Sequence, residues 1–140
     1  MDFRAYLAFA GKCRDAFTRY QQIFGGELMV LSMGDAPPEA APPPGTNLDA
    51  VMHASLTTPE GGLLMGADDP TGNFSGTVNG MCVNIAFTDA GETKRVFDAL
   101  SAGGIVQQPL GETFFTPGFG MCTDRFGTPW MVMVDTPPPS

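Results

Sequence analysis

Positive charge is scarce in this chain. Seven lysines and arginines stand against fifteen acids, a formal net charge of −8. Neutralising a nucleic-acid backbone needs clustered cations, so this balance argues against nucleic acid and against an anionic membrane surface. Long apolar runs are missing too, and none approaches the ~20 residues of a membrane span. The opening MDFRAYLAF lacks a basic segment followed by an apolar core, so no secretory leader is expected. Cysteine is sparse: Cys13, Cys82 and Cys122 are odd in number and form no CxxC. They predict reduced, buried thiols in a cytoplasmic protein. A single histidine leaves no His-rich metal cluster. GxSxG, the P-loop and a glycine-rich turn opening a βαβ unit are all absent.

What is present suits a soluble globular fold. The chain has 140 residues, of which 43% are hydrophobic. A domain of this size buries roughly 68–70% of its extended-chain surface and needs no disulfide or metal to fold. Phe3 to Phe9 alternates in polarity and predicts a strand. Cys13, Ala16, Phe17, Tyr20, Ile23 and Phe24 recur at helical spacing, and Gly25-Gly26 stops that helix. Leu28 to Met33 reads as a strand. The proline-rich stretch Gly34 to Asn47 excludes regular helix and central strand, so an exposed loop or a lid is expected. Val51 to Thr58 and the run from Leu63 predict two strands about a turn at Pro59 to Gly62. Asp68 to Gly80 has linker composition.

The second half repeats the first. Met81 to Phe87 alternates again. Asp89 predicts a helix cap, with Glu92 reaching back to the free amide. Val96, Phe97 and Leu100 share one side of that helix, and Gly103-Gly104 ends it. Ile105 to Leu110 is a strand candidate. Glu112 to Asp135 then reads as a hairpin with its tip near Arg125 to Gly127. Leu7-Ala8-Phe9 matches Ile85-Ala86-Phe87, and Gly25-Gly26 matches Gly103-Gly104 at the same offset. Both halves therefore read βαβββ, an internal repeat. One helix per unit covers one sheet face, and the other face must be covered or line a cavity.

This architecture resembles the vicinal oxygen chelate superfamily, which includes glyoxalase I, extradiol dioxygenases and bleomycin-resistance proteins. The segments GKCRDAFTRYQQIFGGEL, GDAPPE, VMHASL, LMGADDP, ETFF and FGMCTDRFGTPWMV further resemble its PhnB-like branch, often labelled 3-demethylubiquinone methyltransferase-like. The resemblance implies an α+β fold. Two βαβββ modules would form a curved eight-stranded mixed sheet around a cleft, with helices on the outer face. The first module would span about 3–68, a linker about 69–79 and the second module about 80–135. The resemblance also implies a homodimer. A methyltransferase activity lacks support, since no nucleoside-binding βαβ turn is present.

The superfamily's metal ligands, a His or Gln on a module's first strand and a Glu on its last, can be sought by their spacing. The spacing falls on Arg4, Met65, Cys82 and Met131. Arg offers no lone pair, and thioethers suit copper(I) rather than Mg, Mn or Fe(II). No metal and no other cofactor is therefore expected there. The same spacing predicts that Arg4, Tyr6, Cys82, Asn84, Met131 and Met133 face the cleft. Phe3, Leu7, Phe9, Val83, Ile85 and Phe87 would face the helices. A soft methionine wall beside Arg4, Tyr6 and Asn84 suits a partly apolar small molecule with an anionic or hydrogen-bonding group, or else simply fills a closed core. His53 is either a satisfied structural residue or a general base or single ligand, and its face depends on register. Glu112 is either solvated or approaches the cleft. Two functions follow: a glyoxalase/bleomycin-resistance-like binding protein, or an enzyme of lyase, isomerase or transferase type using His53, Glu112 and Arg4 or a non-standard metal site. A ligand-free regulatory dimer is a third.

Overall fold

The structure is a computed structural model and describes residues 1–135. The chain divides into two compact units, Met1–Gly76 and the part from Thr77 onward. Each unit is a βαβββ module, so the α+β class and the repeat both hold.

In the first module the order is β1 (Ala5–Phe9), α1 (Cys13–Phe24), β2 (Glu27–Ser32), β3 (Val51–Thr57) and β4 (Leu63–Asp68). The sheet order is β1-β4-β3-β2, with β1 and β4 parallel and the other pairs antiparallel. The buried stripe of α1 is Cys13, Ala16, Phe17, Tyr20 and Ile23. Phe17 meets Phe9 edge-on at 6.1 Å and Tyr20 at 5.5 Å between ring centroids. Burying each such ring stabilises the module by roughly 1.5–3 kcal/mol. The ring of Phe17 lies so close to Gly66 that a Cβ there would sit 2.9 Å from it. A glycine in the middle of β4 is thus what lets the helix approach the sheet.

In the second module β5 (Val83–Phe87), α2 (Ala90–Ser101), β6 (Ile105–Gly111), β7 (Phe119–Thr123) and β8 (Pro129–Val134) repeat this plan. The sheet order is β5-β8-β7-β6, again with one parallel pair, β5 and β8. Thr93, Val96, Phe97 and Leu100 of α2 are buried, and Phe97 covers Gly120 as Phe17 covers Gly66. Gly26 and Gly104 are equivalent in another respect. A Cβ on either would overlap a backbone carbonyl, that of Thr57 or of Thr123.

Several expectations need correction. The first strand begins at Ala5, and Phe3 is 92% exposed rather than set against the helix. Met81 likewise precedes β5 and is exposed. Asp89 does cap α2, accepting from the Gly91 amide at 2.9 Å, but Glu92 pairs with Arg95 instead of reaching back. Asp68 belongs to β4 and is buried, not part of a linker. The proline-rich loop contains two single 3-10 turns, Met33–Asp35 and Pro38–Ala40. The last hairpin is tighter than the Glu112 to Asp135 span, since β7 starts only at Phe119. Cys13 and Cys122 are buried, whereas Cys82 is exposed. No helix among the described residues is long and apolar enough to cross a membrane.

Candidate functional site

The helix occupies one face of the first sheet, and the strand alternation fixes what lies on the other. Leu56, Leu64 and Phe9 point toward the core and are buried. Tyr6 pairs with Met65, Met65 with Ser55, and Ser55 with Met29, so one row of opposite-facing side chains crosses all four strands. Two residues along β3, His53 shares the face of Ser55. Its ring stacks on that of Tyr6, with centroids 5.7 Å apart, and the Tyr6 hydroxyl lies 3.0 Å from His53 Nδ1. Tyr6 is 54% exposed and His53 is half-buried. Partial burial, and after it the Cys13 thiol, pushes the Tyr6 phenol above its ordinary range. Which of the two donates in this contact depends on the histidine tautomer. The register that the sequence left open thus places His53 on the open face beside Tyr6.

The second module builds the equivalent row from Asn84, Met131, Met121 and Gln108. Met133 lies opposite Phe119, which occupies the place His53 takes in the first module. Asn84 and Phe119, at the equivalent positions of the second module, cannot form such a hydrogen-bonded ring pair. Arg4 lies one residue before β1, exposed, with its guanidinium 2.9 Å from the Asp2 carboxylate. Cys82 is exposed just before β5, and Glu112 is exposed just after β6. The structure thus gathers Tyr6, His53 and Met65 on one sheet face, and Asn84, Met131 and Met133 on the other module's sheet. Arg4, Cys82 and Glu112 sit at strand ends.

The superfamily's metal fits these side chains poorly. Its four positions carry a guanidinium, two thioethers and a thiol. Among the described residues no three His, Cys, Asp or Glu side chains group closely enough to hold an ion.

Two buried carboxylates were not anticipated. Asp68 accepts from the Cys13 amide at 3.0 Å and the Val51 amide at 2.8 Å, tying the starts of α1 and β3 to the end of β4. Asp124 accepts from the amides of Phe126 and Thr128 and, at 2.8 Å, from Trp130 Nε1. Both brace the fold. Asp124 was legible as a turn former, but its long-range partner Trp130 was not.

Two similar units of this topology define a class. The glyoxylase/bleomycin resistance protein/dioxygenase domain from Frankia sp. EAN1pec has the same fold, with a TM-score of 0.64 at 15% identity, covering 97% of this chain and 98% of that one. So does the PhnB protein from Bacillus cereus, at 0.76 and 24% identity, covering 96% and 100%. Within that class the chain belongs to the family of protein YjdN from Escherichia coli K12, to which it is 35% identical over 142 residues, 96% of this chain and 95% of that protein. Protein PA1353 from Pseudomonas aeruginosa is 38% identical, with a TM-score of 0.85 and coverage of 96% and 98%. No family model matches the chain.

Proposed function

We propose that the chain is a glyoxalase/bleomycin-resistance-like protein of the PhnB-like type that binds a small, partly apolar molecule without the superfamily's metal. The observation that carries this reading is the Tyr6–His53 pair, 3.0 Å apart on an open sheet face beside Met65 and Met29. Methionines supply a polarizable apolar floor. The ring pair supplies one directional polar contact, which fixes a ligand's orientation. Under this reading the protein works in the cytoplasm, with free thiols, as a homodimer.

The test is mass spectrometry of molecules that co-purify from native expression, with metal analysis on the same sample. Binding of the molecule so found should weaken about tenfold in Tyr6→Phe and in His53→Asn, ~1.4 kcal/mol. Unchanged binding in both variants would remove this site from the proposal. Stoichiometric Mn, Ni or Zn lost on changing Met65 and Cys82 would overturn its metal-free character.

The same hydrogen bond also favours a second reading, an enzyme of lyase, isomerase or transferase type. A phenol in contact with an imidazole can hold and pass a proton. In this reading His53 and Tyr6 stand at the centre, with Arg4 and Glu112, at strand ends, as the further expected participants. A turnover that disappears in His53→Asn, while the molecule still binds, would select this reading.

A further inference from the structure

A cavity lies in the first module, under the proline-rich loop. It is open on one side, has a volume of about 390 Å³ and is lined by Met33, Ala36, Ala40 to Pro43, Thr46, Met52, Pro70 and Thr71. None of these residues belongs to the Tyr6–His53 face. The volume lies within the roughly 300–1,000 Å³ range of small-ligand sites.

The cavity is built rather than incidental. Its loop wall is anchored at the base by the Met33 amide donating to the Ala50 carbonyl and the Gly34 amide to the Leu48 carbonyl. Asp35 accepts from both the amide and the hydroxyl of Ser32. On the other wall, Asp69 accepts from the amide and hydroxyl of Thr71 and from the Phe74 amide. Prolines at 42, 43 and 70 stiffen both walls, since each fixes its own φ. Met52 reaches the cavity through a strand irregularity. Leu31 pairs with His53 and Ser32 with Val51, leaving Met52 as the extra residue of a bulge. Bulges of this kind re-aim a side chain.

The lining chemistry selects the occupant. Among the described residues no charged side chain lines the cavity. The two hydroxyls already donate, Thr46 to the Pro43 carbonyl at 2.7 Å and Thr71 to Asp69 at 2.8 Å. Thr71 Oγ1 also accepts from the Asn73 amide at 3.2 Å, so what the two hydroxyls still offer a ligand is a remaining acceptor lone pair each. We infer that this cavity is a second binding site, for an uncharged, largely apolar molecule carrying a hydrogen-bond donor. This inference stands independently of the function proposed for the Tyr6–His53 face.

The neutral fluorophore N-phenyl-1-naphthylamine, which has one N–H donor, is a suitable probe for titration into the full chain. Saturable binding of one equivalent is expected. Ala40→Trp, on an exposed turn where folding is not at risk, should fill the cavity and weaken binding at least about tenfold. Met52→Gln should weaken it as well, and Tyr6→Phe and His53→Asn should leave it unchanged. Absence of saturable binding, binding indifferent to Ala40→Trp, or binding lost in Tyr6→Phe would each overturn the inference.

Discussion

At the residue scale, Asp124 holds three N–H groups with one carboxylate. Removing it leaves buried donors without an acceptor, each costing about 1–3 kcal/mol. Asp124→Ala should therefore lower stability by roughly 3 kcal/mol in urea denaturation followed by circular dichroism. Gly26→Ala should cost at least ~2 kcal/mol by a different cause. Its φ of +98° is strained for a side chain, and a Cβ would overlap the Thr57 carbonyl. The thiols make a pH prediction. Burial, then Asp68, pushes Cys13 up to about 12 against a small opposing effect of Arg14; burial, then Asp124, pushes Cys122 up to about 11. Below the ordinary thiol value of 9.0, folded and unfolded chains both keep these protons. Above it the unfolded chain releases them first, so stability should fall from about pH 9 upward, until the folded thiols titrate. Changing both cysteines to alanine should flatten that decline. Iodoacetamide should modify Cys82 in the native protein, and the other two only after unfolding.

At the element scale, the alternation of β1 and β5 was plain in the sequence, but their ends were not. A strand is only as long as its partner. Ala5 pairs with Leu64 near the start of β4, and the turn at Pro59 to Gly62 leaves nothing opposite Phe3. The face of His53 was illegible for a related reason. It follows from Ser55 opposing Met65, a register that the turn sets and composition does not encode. The bulge at Met52 was invisible altogether, because an extra residue leaves no compositional mark. The proline-rich loop was correctly barred from regular structure, but its bracing by Asp35 depends on a geometry that sequence spacing only hints at. The Ser32 amide and then its hydroxyl hold the Asp35 carboxyl below its usual range, and the Thr71 amide and hydroxyl do the same for Asp69. Binding of the naphthylamine probe should therefore persist through mild acid and fail only below the ordinary carboxylate range. Asp35→Asn should weaken that binding at neutral pH.

At the scale of the whole molecule, the repeat was legible because each module solves the same packing problem with the same parts. A glycine pair ends the helix, an aromatic ring covers a strand glycine, and one parallel pair closes the sheet. The chemistry was harder to read because it breaks the repeat: the position that holds His53 in one module holds Phe119 in the other. The buried carboxylates also belong to separate modules and hold different N–H groups, Asp68 those of Cys13 and Val51, Asp124 those of Phe126, Thr128 and Trp130. The cost of Asp68→Ala combined with Asp124→Ala should accordingly equal the two single costs within ~0.5 kcal/mol in the same urea series.

Duplication has also divided the chromophores. The sole indole, Trp130, is buried in the second module, and both phenols, Tyr6 and Tyr20, lie in the first. Unlabelled protein thus carries a separate optical reporter for each half. Indole emission follows one core and phenol emission the other, so a melting curve taken in both channels resolves the order in which the two halves open.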